Sequence, residues 1–137
     1  MKENRDLVQG LLKKAASDTV ALKATRVAGA FDAACFHAQQ AAEKYLKAYL
    51  THRGIQFPHT HNLGKLVELC AGDDPSFREL VEVVTPLTPY AVELRYDEEF
   101  WPTPDDAGSA FDAVTRVRDF TLARVDDSLL RRGSEES

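Results

Sequence analysis

An all-α fold, an antiparallel up-and-down bundle of about five helices, follows from three features of the sequence. Apolar residues recur at the spacing of a helix face over long stretches. No segment alternates apolar and polar residues as a half-buried strand does. Glycines and prolines fall between the periodic stretches, where they stop and start helices. The 137 residues suffice for one domain with a real core, not for two.

The first helix is expected from Asn4 to Val27, with Leu7, Val8, Leu11, Leu12, Ala15, Thr19 and Leu22 as its buried stripe. Gly29 lets the chain bend. A second helix follows over Ala30 to Arg53, closed by Gly54. Its inward arc is Phe31, Ala34, Cys35, Ala38, Ala41, Ala42, Tyr45, Leu46 and Tyr49. Pro58 keeps the segment from Ile55 to His61 out of a helix. Thr60 or Asn62 then caps a short third helix through about Ala71. Asp74 as cap and Pro75 at the first position open a fourth, with Phe77, Leu80, Val81 and Val84 inward. Pro86 and Pro89 predict a kink or break before Tyr90 to Tyr96. Thr103, Pro104, Asp105 and Asp106 make a strong start for a fifth helix, running to about Leu130. Its stripe is Ala107, Ala110, Phe111, Val114, Val117, Thr121, Leu122, Val125 and Leu129. Residues 1–130 are expected to form the single bundle and 131–137 a disordered tail.

Hydrophobic residues make up 44% of the chain and charged ones 28%, the balance of a globular protein. No apolar run is long enough to span a bilayer, and no signal-peptide core follows the N-terminus, so a cytoplasmic location is expected. Cys35 and Cys70 make no disulfide framework and read as small buried thiols. A net charge of −5 argues against a broad electrostatic grip on nucleic acid. It leaves room for a local site, because Lys44, Lys47, His52 and Arg53 cluster on and after the second helix.

The outer side of that helix carries Gln40, Glu43, Lys44 and Lys47, with the ring of Phe36 among them. An aromatic inside a Gln/Glu/Lys stripe points to contact with another molecule. The competing reading is that single exposed apolar residues are common.

The run Phe36-His37-Ala38-Gln39-Gln40-Ala41-Ala42-Glu43-Lys44-Tyr45-Leu46-Lys47-Ala48 resembles the signature helix of HEPN-domain proteins, F-H-A-Q-Q-A-x-E-K-x-L-K-A. His61-Asn62-Leu63 resembles the H-x-L that opens the next helix of that family, and Arg95-Tyr96-Asp97 the R-Y-P/D that closes a later one. The resemblance implies a helical bundle, usually dimeric, with a role in nucleotide or RNA binding. It also implies a nucleotidyltransferase-like partner protein, as in toxin–antitoxin pairs.

Many HEPN proteins are ribonucleases whose Arg is followed, after four to six residues, by a His that serves as general acid or base. No histidine lies beyond Arg95, since the last in the chain is His61. Arg53 and His59 have the spacing, but Gly54 and Pro58 put them in a loop after the wrong helix. No catalytic residue is therefore expected, and a binding role is preferred. The alternatives are a ribonuclease toxin with a rearranged site around Arg95, His37 and Lys47, and a structural oligomerisation module.

The expected ligand is a nucleotide or phosphate group held by His37, Gln40, Glu43, Lys44, Lys47, Arg95 and Tyr96. The lysines would supply charge, Gln40 and Glu43 hydrogen bonds, and Arg95 with Tyr96 a second wall. For each the plainer reading stays open: Glu43 and Lys47 are spaced for an ordinary helix-face pair, Arg95 has Glu93, Glu98 and Glu99 nearby to pair with, and His37 reads by default as a half-buried, satisfied histidine. Phe36 and Trp101 are the expected interface residues. His59 and His61 lack companions for a metal, and no cofactor is expected.

Overall fold

The structure, a computed structural model, describes residues 4–125. Six α-helices occur in it: α1 (Asn4–Val27), α2 (Phe31–His52), α3 (Leu63–Asp73), α4 (Val81–Val84), α5 (Glu93–Tyr96) and α6 (Pro104–Leu122). Two 3₁₀ segments, Pro75–Leu80 and Thr85–Ala91, flank α4. The described residues contain no strand. The expected extension to Leu130 and the tail from 131 lie outside the described residues.

Helix ends follow local chemistry. Gly29 and Gly54 have φ of 83° and 71°, in the left-handed region that favours glycine, and they close α1 and α2. Asn62, not Thr60, caps α3, its Oδ1 accepting from the Lys65 N–H at 3.1 Å. At α6, Thr103 Oγ1 accepts from the Asp106 N–H, and the Asp106 carboxylate accepts from the Thr103 N–H at 2.8 Å. This reciprocal box satisfies two donors that a helix start leaves over.

The expected fourth helix is the main correction. Expected as a helix from Pro75 with a break at Pro86 and Pro89, it is instead a series of 3₁₀, α, 3₁₀ and α pieces between Pro75 and Tyr96. Pro86 and Pro89 have no N–H to offer a carbonyl four residues back, so the chain tightens into 3₁₀ turns there.

α2 is the central helix, packed between α1 and α6. Its alanines at 34, 38, 41 and 42 are fully buried and let neighbouring backbones approach closely. Tyr45, Leu46, Tyr49 and Leu50 fill the space beyond them. Phe77 wedges between Tyr49, with centroids 4.4 Å apart, and Phe120, edge-on at 4.9 Å. Burial pushes the Cys35 thiol up to about 11 and the Cys70 thiol up to about 12, so both are inert apolar fillers.

α1 departs from expectation at its start. Val8, Ala15 and Leu22 are buried, but Leu7 stands 43% exposed. On α6, Ala107, Ala110, Val114, Val117 and Thr121 face inward as expected, and Val125, just beyond its end, is buried as well. Phe111 is only half-buried and lies under the cations of Lys23 and Arg26.

Candidate functional site

The outer side of α2 is divided between two carboxylate-centred networks. In the first, Asp18 of α1 holds His37 Nδ1 at 3.0 Å through Oδ1 and the Lys44 ammonium through Oδ2. In the second, Glu43 accepts from Gln39 at 3.1 Å, from Lys47 at 3.0 Å and pairs with His61 Nδ1 at 2.8 Å. Gln39 Nε2 also reaches the His61 carbonyl, and its own Oε1 accepts from Gln40 at 2.6 Å. The second network thus ties the chain entering α3 to the face of α2. Lys47 Nζ also lies 5.7 Å from the centre of the Phe57 ring, holding the same loop.

Glu43 was expected toward solvent and is instead 5% exposed. Burial pushes its carboxyl up, but the hydrogen bonds from His61, Lys47 and Gln39 together outweigh that and hold it below its ordinary value. A carboxylate with this many donors has little capacity left for a ligand. Lys44 and Lys47 are likewise half-buried and matched to Asp18 and Glu43, which neutralises the basic strip read from the sequence.

Between the N-terminal half of α2 and α5 lies an open cleft of about 260 Å³, lined by Asp32, Ala33, Phe36, His37 and Leu94. Phe36 stands edge-on to His37, with centroids 5.7 Å apart. Leu94 brings α5 to this cleft, and α5 is the element that carries Arg95 and Tyr96. The side chains of Arg95 and Tyr96 lie outside the described residues. Trp101 is 68% exposed in the following loop.

Arg53 and His59 do not form a site together. Arg53 Nε donates to Asp73 at 2.9 Å, and the Tyr49 hydroxyl donates to the same oxygen at 2.6 Å. Among the described residues no cluster of His, Cys, Asp and Glu is arranged to hold a metal ion. No described helix is long and apolar enough to cross a membrane.

The HEPN domain model matches residues 8–125. The chain belongs to the HEPN-domain family. Among solved structures it is similar to the archaeal HEPN homologue ST0689, at 22% identity and a TM-score of 0.72, over 92% of this chain and 100% of that one. It is also similar to TT1696 from Thermus thermophilus, at 26% identity and a TM-score of 0.70, over 88% of this chain and 98% of that one. No curated protein matches the sequence.

Two parts of this arrangement were not visible in the sequence. Asp18 sits among small polar residues on a helix whose pattern says nothing about its partner, 19 and 26 positions away. Asp32 and Leu94 reach the cleft only because α2 and α5 meet there. The His61–Glu43 pair had a weak signal, since both belong to the motifs that resemble the family.

Proposed function

We propose that this HEPN protein is a binding module that works through protein contacts at the α2–α5 cleft. Its partners are a second copy of the chain and a nucleotidyltransferase-like protein, in the manner of a toxin–antitoxin pair. The supporting observation is that each α2 lysine is matched to a carboxylate, while the cleft beside them presents an aromatic ring, a leucine and an acid. A half-exposed ring in an acid-rimmed cleft suits a protein interface, where aromatic anchors dominate, better than a phosphate. The test is calorimetry against a nucleotidyltransferase-like protein encoded next to this one. Wild-type chain is expected to bind and Phe36→Asp to fail. Equal binding by both would remove the cleft from the reading.

One observation favours a second reading, a nucleotide or RNA ligand. His37 is held by Asp18 beside the element that carries Arg95 and Tyr96, a couple suited to proton transfer or to a phosphate contact. In this reading His37 and Gln40 meet the ligand from α2, Arg95 and Tyr96 meet it from α5, and the ribonuclease alternative uses His37 as acid or base. Single-stranded RNA and nucleoside triphosphates, tested for cleavage and for NMR shifts at low and high salt, decide it. Cleavage lost in both His37→Ala and Arg95→Ala would establish the ribonuclease. Salt-sensitive shifts without cleavage would establish binding alone.

A further inference from the structure

Helix α1 is fastened to the core by one side, through the fully buried Val8, Ala15 and Leu22. On the opposite side Lys13, Ser17, Val20, Ala24 and Val27 follow one another at intervals of four and three, which keeps them on one line along the helix. All five are exposed. The line is about 20 Å long. Its second half is aliphatic, with Val20 67% and Val27 90% exposed. Lys14 falls on one flank of it and Lys23 on the other.

This stretch is also cationic in a chain whose net charge is −5. Lys13, Lys14, Lys23 and Arg26 enter no salt bridge among the described residues. Lys23 and Arg26 lie 5.9 and 5.5 Å from the centre of the Phe111 ring, which positions them on the α6 side without neutralising them. The one acid between Lys13 and Val27 is Asp18, and it is spent on His37 and Lys44.

Four occupants can be compared on this chemistry. A nucleic-acid strand would meet the cations, but its bases would find no ring on a line of valine, alanine and serine. A bilayer would attract the cations, but the line lacks the tryptophan, phenylalanine or leucine that inserts. A second α1 fails on charge. Antiparallel pairing that buries the valines centres on residues 20–24 and brings the Lys23 of each copy together, and parallel pairing sets every lysine against its own counterpart. A helix with an aliphatic seam and acidic flanks meets both the spacing and the charge.

We propose that α1, from Lys13 to Val27, seats an amphipathic helix of a protein partner, with aliphatic side chains on Val20 and Val27 and aspartate or glutamate beside Lys14 and Lys23. This face is turned away from α2, and the proposal stands independently of the α2–α5 cleft.

The experiment is an NMR titration of the full chain with a stapled helical peptide carrying leucine along one seam and glutamate on both flanks. Its comparators are the same helix with lysine flanks, the same helix with serine in the seam, a uridine oligonucleotide and phosphatidylglycerol vesicles. The leucine–glutamate helix is expected to shift the signals of Val20, Ala24 and Val27 below millimolar concentration, more strongly at low salt. The serine-seam helix should bind about tenfold more weakly and the lysine-flanked helix not at all. Val20→Asp, whose fold is checked by its own spectrum, should abolish the shifts. The double variant Lys14→Glu with Lys23→Glu should reverse the preference toward lysine flanks. Silent α1 signals at millimolar leucine–glutamate helix, equal binding of the lysine-flanked helix, shifts unchanged in Val20→Asp, or shifts from the oligonucleotide or the vesicles instead would each overturn the proposal. So would concentration-dependent broadening of the Val20 and Val27 signals without peptide that Val20→Asp removes, since that assigns the face to a second copy.

Discussion

The two networks on α2 have the same parts and different surroundings. Each is a carboxylate holding one histidine and one lysine: Asp18 with His37 and Lys44, Glu43 with His61 and Lys47. Glu43 also receives Gln39, is nearly buried and pins the loop before α3. Asp18 reaches across from α1, and its histidine is left 30% exposed at the edge of a cleft. Residue types alone therefore do not mark a site. What separates a structural lock from a recognition surface is whether hydrogen-bonding capacity remains after the fold is satisfied.

The lock should be the more sensitive of the two. Glu43→Ala removes the acceptor shared by Gln39, Lys47 and His61 and is expected to destabilise the fold by about 3 kcal/mol. That is the lower end for a buried ion pair, because His61, with a side chain 62% exposed, can rehydrate. The shift of the urea midpoint measures it. A loss no larger than that of a surface substitution would show that the network contributes little to holding α3.

Acid stability sharpens the contrast. The folded Glu43 carboxyl lies below its ordinary value of 4.5, so it favours the ionised, folded state. Its contribution is complete above pH 4.5 and is lost as the pH falls through the folded value. Asp73, held low by the Tyr49 hydroxyl and Arg53, and Asp74, held low by Ser76 and Arg124, act in the same direction. Both remain in Glu43→Gln, so the difference between the two stability curves isolates Glu43. That difference is expected to shrink below pH 4.5, and a constant difference would assign it to packing instead.

Asp18→Asn should have the smallest effect on stability. The side chains of Lys44 and His37 retain 23% and 30% of their exposure, so water replaces much of what is lost, and about 1 kcal/mol is expected. Its larger consequence should be on binding at the cleft, because His37 is no longer held to one tautomer. Thermal denaturation and calorimetry with the partner, run on the same variant, separate the two effects.

The difference between the networks also explains what the sequence disclosed. Helices α1 and α2 and the start of α6 were legible, because periodicity, Gly29, Gly54 and the Thr103–Asp106 box act locally. The segment from Pro75 to Tyr96 was legible only as something broken by prolines, since pattern does not decide between α and 3₁₀ turns. On α2, the residues near the site were readable but their state was not. In the sequence Lys44 and Lys47 form a basic strip with no visible partners, because Asp18 comes from another helix and Glu43 falls on the polar side of α2. Side-chain pairing between distant elements leaves no periodic trace.

The role proposed for Phe36 and its cleft is that of a protein-contact surface. Sedimentation equilibrium of the wild-type chain and Phe36→Asp at micromolar concentration tests it most directly. The wild type is expected to be a dimer, burying at least about 1,000 Å², and Phe36→Asp a folded monomer. A wild type that stays monomeric, or a dimer indifferent to Phe36→Asp, would contradict it.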